Sequence, residues 1–503
     1  MQANIVEKST GNALPLLAIA LVCLTIFLPI CLLTPCYYAD DGGYTQMLSY
    51  FVQNGKVDLM HWSQPTAISL IVIASLIVKI IGFGFAQLDI IGLLFATAAV
   101  CGIYVLLKTR LSSVVSFMVA LSIFAFNEVT YVTPTFMTDI PFLAFSVWWL
   151  VFLDRTLTSE TNNRWNYLAC FVFLLLSLLT RSTILLALPA LFGAAIFCQK
   201  ERKTLLIQSG VFVACLLLSL AITKFLSINQ LSFLDTTALR EIIQLHDFAR
   251  FNLRELAVAT LYVVFACSPL LMVVKAADSK LRIVQIGSAV IAGVLAVYFT
   301  YKGFFVPFGK LASPVVILCV MVAAFNIPIV VTASLQKEKV LSVILLIYAA
   351  SQLAVLPIMA HPLVRHAIPA MVSLTIVIAV ANMWRNNAFR LLMVLSPLLI
   401  FANVINLQQI RLIDFATWQL VQDLNEKGVA KDKVDAGWGW FCYTALVPGS
   451  NDPKHYVEKY RDWQSDAKFF VGNPSDQQKP GTVLISLPVH HLANHSEIVV
   501  VQR

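Results

Sequence analysis

Three aspartates and a scatter of cations are the residues in this chain with chemistry to offer. Asp40 and Asp41 stand side by side in "CYYADDGGYTQML" (36–48), directly after an apolar run of more than twenty residues, and Tyr44 follows one helical turn after Asp40. Asp139, in "TFMTDIPF" (135–142), lies between two apolar stretches, where an unpaired carboxylate is costly and normally has a partner or a task. The cations are Arg181 in "TRST" (180–183), Arg254, Lys302 and Lys310 in "TYKGFFVPFGK" (300–310), and Arg365 in "HPLVRH" (361–366), flanked by His361 and His366. A carboxylate can take a proton from an attacking hydroxyl or amine. Basic groups between spans near the headgroups suit a phosphate or pyrophosphate, because a low dielectric strengthens each contact. Each residue also has a plain structural role open to it. Asp139 can cap a helix beginning at Pro141, and Arg181 and Lys310 can anchor helix ends by snorkelling.

The elements that must position these residues follow from composition. Of 503 residues 59% are apolar and only 12% charged, with a mean hydropathy of +0.81. An ordinary soluble domain is excluded, and a polytopic α-helical membrane protein is expected. The net charge of +8 is spread singly through short loops rather than gathered into a stripe, so no nucleic-acid partner is expected. A span needs about 20 apolar residues. Such runs begin with "ALPLLAIALVCLTIFLPICLLT" and recur near 88–107, 113–130, 140–153, 166–180, 183–198, 204–225, 254–274, 283–300, 311–334, 340–359, 367–384 and 391–407. About thirteen transmembrane helices are therefore expected. The first run exceeds a signal-peptide core and lacks a small-x-small cleavage pattern, so it reads as a retained anchor. Residues 1–407 form the membrane domain, and 408–503, richer in polar residues, a small α/β domain outside it. The ten cysteines lie mostly inside apolar runs and read as small hydrophobes; Cys36 and Cys442 could meet, though nothing requires a disulfide.

Segment 66–83 is barely long enough to cross and carries Lys79. If it does not cross, Lys108, Arg110, Arg155, Arg164, Lys200, Arg202, Lys203, Lys275, Lys280, Arg282, Lys337, Lys339, Arg385 and Arg390 all face the cytoplasm, as the positive-inside rule requires. It is therefore read as a re-entrant or interfacial helix in a long first outer loop. The three aspartates, the site cations and the C-terminal domain then share the outer face.

In the tail, "RLIDFATWQLVQDLNEKG" (411–428) predicts an amphipathic helix with Leu412, Phe415, Trp418 and Leu424 on one face. "GWGWFCYTAL", "AKFFVG", "TVLISL" and "EIVVVQ" predict short strands. Trp438, Trp440 and Tyr443 could stack on sugars but read first as core or interface residues. His490, His491 and His495 could ligate zinc but read first as surface loop residues, and "NHS" (494–496) is a formal glycosylation sequon.

Taken in order, these motifs resemble the glycosyltransferase-C (GT-C) enzymes that use polyprenyl-phosphate sugars, above all the lipid A aminoarabinose transferases and protein O-mannosyltransferases. "ADDGGYTQMLSYFVQNGKVD" resembles their first-loop acidic motif and "HWSQPTAISLIVIASLIVKIIGFG" their Pro-containing interfacial helix. "FMTDIPFLAF" is similar to the second-loop acidic motif, "LLTRSTILLALPALF" to the basic turn before a Pro-containing span, and "HPLVRHAIPA" to a later basic turn. The resemblance covers roughly the first two hundred residues in order. It implies that Asp40 is the acid that activates or orients the acceptor and Asp139 a second acid that holds acceptor or sugar. Arg181 and Arg365 fall where related enzymes place cations near the donor phosphate. The chain departs from the aminoarabinose transferases at Gln64, where they have Lys, and at Asp41, where Glu is commoner. The resemblance further implies transfer with inversion from an undecaprenyl- or decaprenyl-phosphate sugar to a lipid, polysaccharide or protein acceptor, at the outer face of a bacterial inner membrane. Tyr44, Asp41, Arg254, Lys302, Lys310, His361 and His366 are expected to line the substrate site. The three aspartates could bind Mg²⁺ or Mn²⁺, but no metal is expected, since monosaccharide-transferring relatives generally lack one. A monomer is expected. The rival reading is a transporter or lipid flippase, which would place charged sites near the midplane in two related halves; the ionisable residues here gather on one face and no internal repeat is evident.

Overall fold

A computed structural model of the chain describes residues 13–36, 40–58, 67–158, 163–226, 253–271, 281–303, 313–356, 364–381, 386–444, 464, 466–472, 481–490 and 495–502. The N-terminal run forms α1 (Ala13–Leu33). Ile19, Cys23, Phe27 and Cys31 on one side are fully buried, while Leu14, Leu17 and Leu21 on the other are more than half exposed. Such a stripe is unfavourable in water and at home in hydrocarbon. The polar segment that follows folds as α2 (Asp41–Asn54), ended by Gly55 in the left-handed conformation at φ 68°. Next comes α3 (Ile68–Ile81), whose 14 residues span about 21 Å, short of the roughly 30 Å of a bilayer core. Its start is docked on another helix end, with Ser69 N donating to Leu179 O at 3.1 Å and Ser69 Oγ to Leu176 O at 2.9 Å.

The long helices α4 (Phe85–Lys108), α7 (Asp139–Thr158) and α8 (Arg164–Leu178) form the centre of the bundle. Phe95 meets Phe145 edge-on at 5.4 Å, Phe152 stacks on Phe173 at 5.6 Å, and Trp148 Nε1 donates to Ala98 O at 3.0 Å. Between α4 and α7, the single span expected at 113–130 is instead α5 (Ser113–Leu121), a 3-10 turn at Ser122–Ala125 and α6 (Asn127–Val132). Hydroxyls interrupt the helix by competing for its carbonyls: Ser122 Oγ donates to Val119 O at 2.7 Å and Thr130 Oγ1 to Phe124 O at 2.6 Å.

The remaining membrane helices are α9 (Ala187–Phe197), preceded by a 3-10 turn at Ser182–Leu186, and α10 (Arg202–Leu226). The expected run 254–274 divides into α11 (Leu253–Ala266) and α12 (Ser268–Leu271), because Pro269 has no N–H to continue the helix and its ring crowds the carbonyl four residues earlier. Then follow α13 (Arg282–Tyr301), α14 (Ser313–Lys337), α15 (Lys339–Val355) and α16 (Ile368–Ala381), the last buried along nearly its whole length. Among the described residues, eight helices are long and apolar enough to cross a membrane, with five shorter apolar helices between them. The protein is an integral membrane protein.

The last helix, α17, runs unbroken from Asn386 to Glu426. The change of composition near residue 407 therefore falls inside one helix, because 408–426 contains neither Gly nor Pro and ends only at Gly428, at φ 88°. Its apolar face is the one expected: Trp418 and Leu424 are buried, Leu412 and Phe415 half-buried. Beyond it, β1 (Val434–Asp435), β2 (Phe469–Gly472), β3 (Thr482–His490) and β4 (His495–Gln502) form a sheet of order β1-β2-β4-β3, parallel only between β1 and β2. The sheet packs against α17. The strand expected at "GWGWFCYTAL" is instead helix α18 (Gly437–Thr444). Packing overrides local propensity there, since helical spacing turns Trp440 and Tyr443 together onto Trp418, at 4.8 and 5.6 Å.

Candidate active site

Asp40 immediately precedes α2, and its carbonyl accepts from Gly43 N at 3.0 Å and Tyr44 N at 3.3 Å. Its side chain does not cap the helix that its backbone starts. The carboxylate instead accepts from Arg365 Nη2 at 2.5 Å. Arg365 lies in the 3-10 turn Val364–Ala367 that leads into α16, and its Nη1 rests against Met137 Sδ at 3.1 Å. Asp139 is the first residue of α7, and Arg181 Nη1 donates to its Oδ1 at 2.6 Å. The same nitrogen reaches Thr138 Oγ1 at 3.3 Å, and the Tyr44 hydroxyl lies 3.3 Å from that oxygen. One threonine thus joins α2 to the second acid–arginine pair. The two pairs differ in depth: the Arg181 and Asp139 side chains are 5% and 7% exposed, those of Arg365 and Asp40 17% and 22%. Burial pushes the Tyr44 phenol well above its ordinary pKa, so it stays protonated.

Short-range packing sets these positions. The segment 133–138 rides directly on α4 at Gly92. A Cβ there would stand 2.3 Å from Thr135 O and 2.9 Å from Thr133 O, so only glycine permits the approach. Thr133 Oγ1 and Thr135 Oγ1 donate back to Val129 O and Val132 O, both at 2.7 Å, which folds the end of α6 toward Asp139. Arg181 leaves α8 in an extended conformation at φ −150°, its own N–H held by Ser177 O at 2.9 Å. A cavity beside the pairs is lined by Asp139, Arg181, Arg365, His366, Thr183 and Gln352. Gln352 Nε2 donates to Thr183 O at 3.1 Å and so fixes one wall.

Of the residues expected from the sequence, Asp40, Asp139, Tyr44, Arg181, Arg365 and the buried His366 come together here, and Asp41 is fully buried at the start of α2. Arg254 pairs instead with its neighbour Glu255, Nη2 to Oε1 at 2.5 Å, and lines a separate apolar cavity with Thr260, Ser288 and Tyr298. Lys302 is exposed, its ammonium 5.9 Å from the Tyr301 ring. Both sit at helix ends, where a charge can reach solvent without entering the bundle. Gln64, Lys310, His361 and His491 lie outside the described residues. His490 and His495 are register partners at the end of the β3–β4 pair. Cys36 and Cys442 are both free and buried.

Among the described residues no three His, Cys, Asp or Glu side chains are grouped to hold a metal. Asp40 and Asp139 each turn to an arginine, a donor set that does not fit a divalent ion. Thr138 and Gln352 carried no signal of their own in the sequence, being one hydroxyl and one amide among many. Two further ion pairs did carry one. Asp89, inside the apolar run of α4, pairs with Arg411 of α17, and Arg110 pairs with Asp154 near the end of α7. A carboxylate within a span implies a partner.

Residues 65–228 match the family model described as dolichyl-phosphate-mannose-protein mannosyltransferase. That third of the chain contains Asp139 and Arg181 and most of the segments whose motifs resemble polyprenyl-phosphate-sugar glycosyltransferases. No curated protein sequence matches the chain. Among solved structures, ArnT from Cupriavidus metallidurans bound to undecaprenyl phosphate is similar at 12% identity and TM-score 0.49, covering 98% of each chain. An oligosaccharyltransferase from Archaeoglobus fulgidus in complex with Zn and sulfate gives 12% identity and TM-score 0.48, covering 91% of this chain and 68% of that one. The archaeal oligosaccharyltransferase AglB from the same organism, with an inhibitory peptide and a dolichol-phosphate, gives 11% identity and TM-score 0.43, covering 91% and 69%.

Proposed function

We propose that this membrane protein is an inverting glycosyltransferase that moves a sugar from a polyprenyl phosphate to an acceptor at the outer face of a bacterial inner membrane. The observation that carries the reading is the convergence of two carboxylates and two arginines from four separate segments, joined through Thr138 and Tyr44. The family-model match over 65–228 supports the same class of donor. The sidedness rests on the distribution of basic turns, with 66–83 as a re-entrant helix within about thirteen crossings, and the tail from 408 onward stands on the side of the acids.

In this reading Asp40 takes the acceptor's proton as the acceptor's hydroxyl or amine attacks C1 of the sugar from the face opposite the phosphate. The C1–O bond to phosphate breaks, the new glycosidic bond forms, and the configuration at C1 inverts. Phosphate leaves with its charge and needs no proton, so one base suffices. Arg181 and Arg365 stabilise the charge growing on the departing phosphate in surroundings that exclude most water. Asp139 holds the acceptor or sugar, with Asp41 and Tyr44 as wall.

The experiment is transfer in proteoliposomes supplied with a polyprenyl-phosphate sugar and envelope lipid or glycan acceptors, read by mass spectrometry. Asp40→Asn and Asp139→Asn should leave folding intact and abolish the added-sugar product. Full transfer by Asp40→Asn removes Asp40 from the role of base. Labelled lipid that crosses the bilayer without a new glycosidic bond favours transport instead.

A further inference from the structure

We propose that Arg411 is a positioning residue, which with Asp89 sets the spacing of Asp40 and Asp139; the inference rests on the reading of Asp40 as the base. Arg411 projects from α17 and is fully buried, with Asp89 of α4 beside it at 3% exposure. One terminal nitrogen pairs with the Asp89 carboxylate, and the other donates to Cys36 O at 3.0 Å. The Cys36 thiol donates weakly in return to Arg411 O, at 4.0 Å. Cys36 is four residues before Asp40, so a fixed Cys36 carbonyl leaves Asp40 on a tether of at most about 14 Å. Asp89 lies three residues before Gly92 on the same helix, and Gly92 is where the segment leading to Asp139 rests. A single guanidinium therefore joins the helix that seats one acid to the chain that carries the other.

The chemistry of the pair argues that geometry is what it contributes. A buried ion pair costs much of its attraction in desolvation and is often no more stabilising than apolar side chains of the same volume. Only a planar fork can meet a carboxylate and a backbone carbonyl at once in a fixed plane. The C-terminal part of the chain holds α2 a second time, through Gln46 Nε2, which donates to Tyr443 O at 2.6 Å. Helix α18 packs against α2, and the rings of Phe85, Trp418, Trp440 and Tyr443 lie between 4.8 and 6.3 Å apart. The polar end of α17 and the helix after it thus serve as the frame on which the acid loop is mounted.

The test is the paired replacement Arg411→Met with Asp89→Leu in the full-length protein, which removes the fork together with the carboxylate it grips, while Asp41 and Asp414 stay close by. The expected result is a cooperative thermal unfolding transition retained in detergent, a fall in kcat of the folded fraction of about 10- to 100-fold, the size of effect that a 1 Å misplacement can cause, and KM for the donor within twofold. Maleimide labelling of Cys36, followed peptide by peptide in the mass spectrometer, should accelerate at least tenfold, a readout independent of transfer. Wild-type kcat, or a loss confined to KM, overturns the proposal. If the paired variant does not fold, Arg411→Lys retains the charge opposite Asp89 but not the fork. A lower kcat with unchanged unfolding then supports positioning, and full kcat overturns it. Asp40→Asn measured alongside separates the two levels: its inactivity with a fully active Arg411 variant refutes only the positioning role, whereas its full activity refutes the assignment of the base.

Discussion

The two ends of α7 carry the same residue types arranged to opposite effect. At its start Asp139 meets Arg181, and Asp40 meets Arg365 close by; 15 residues and about 22 Å further on, Asp154 meets Arg110. Arg110 grips its carboxylate with both terminal nitrogens. Its terminal nitrogens hold both Asp154 oxygens, at 2.9 and 2.5 Å, together with Leu106 O and Thr109 Oγ1, and its Nε faces Glu338 at 3.1 Å. The arginines at the other end each touch one carboxylate oxygen, and their second contacts are a methionine sulfur and a shared threonine hydroxyl. A cavity opens beside them. A guanidinium that holds both oxygens of one carboxylate is a fastener, whereas one that touches a single carboxylate oxygen and rests on a thioether has strong hydrogen-bonding capacity left for an anion. Identical pairs in a contact survey are thus told apart by what else the arginine holds.

Substitutions at the two ends should separate along that line. The largest effect is expected for Asp40→Asn, a loss of about 10²- to 10⁴-fold in transfer at unchanged unfolding temperature, read by product mass and calorimetry. Arg110→Met should do the reverse. It leaves Asp154 buried without its partner, costs about 3 kcal/mol or more of stability, and leaves kcat of the folded fraction near wild type; a kcat loss there would erase the contrast. Gly92→Ala should do some of both, since the added methyl pushes the Thr133–Thr135 backbone away from α4. About 1–3 kcal/mol of stability and a measurable part of kcat should go together. Glu338→Gln, at the half-open edge of the fastener with 36% side-chain exposure, should cost less than about 1 kcal/mol and nothing in transfer.

How much of this was legible in the sequence divides by the range of the interaction. Apolar runs mark α1, α4, α10 and α13 within a few residues, because crossing hydrocarbon is a demand each segment meets alone. The acids were legible for a related reason, since a carboxylate beside an apolar run has to be accounted for locally. Their partners were legible only as a pool of cations, and the pool held Arg254 and Lys302 as well as Arg181 and Arg365. Which cation folds back onto which acid depends on helix packing across as many as 325 positions in the chain, and nothing local encodes that. The break at Ser122–Ala125 and the helix at Gly437–Thr444 escaped for the same reason. One depends on hydroxyls finding carbonyls within a bent helix, the other on aromatic rings finding each other across the tail.

Helix α17 runs for 41 residues, about 60 Å at 1.5 Å per residue, twice the thickness of a bilayer's hydrocarbon. Over that distance it acts as a keyed shaft. Each residue turns the helix by about 100°, so Arg411 and the face bearing Trp418 and Leu424 hold their angular relation only while the number of residues between them is kept. One residue inserted after Arg411 would leave the contacts within the tail chemically intact and swing them together a quarter-turn or more away from Phe85 and α2. The length of this polar stretch is therefore as much a specification as its composition, and the phase of one helix decides whether the tail can reach the acid loop at all.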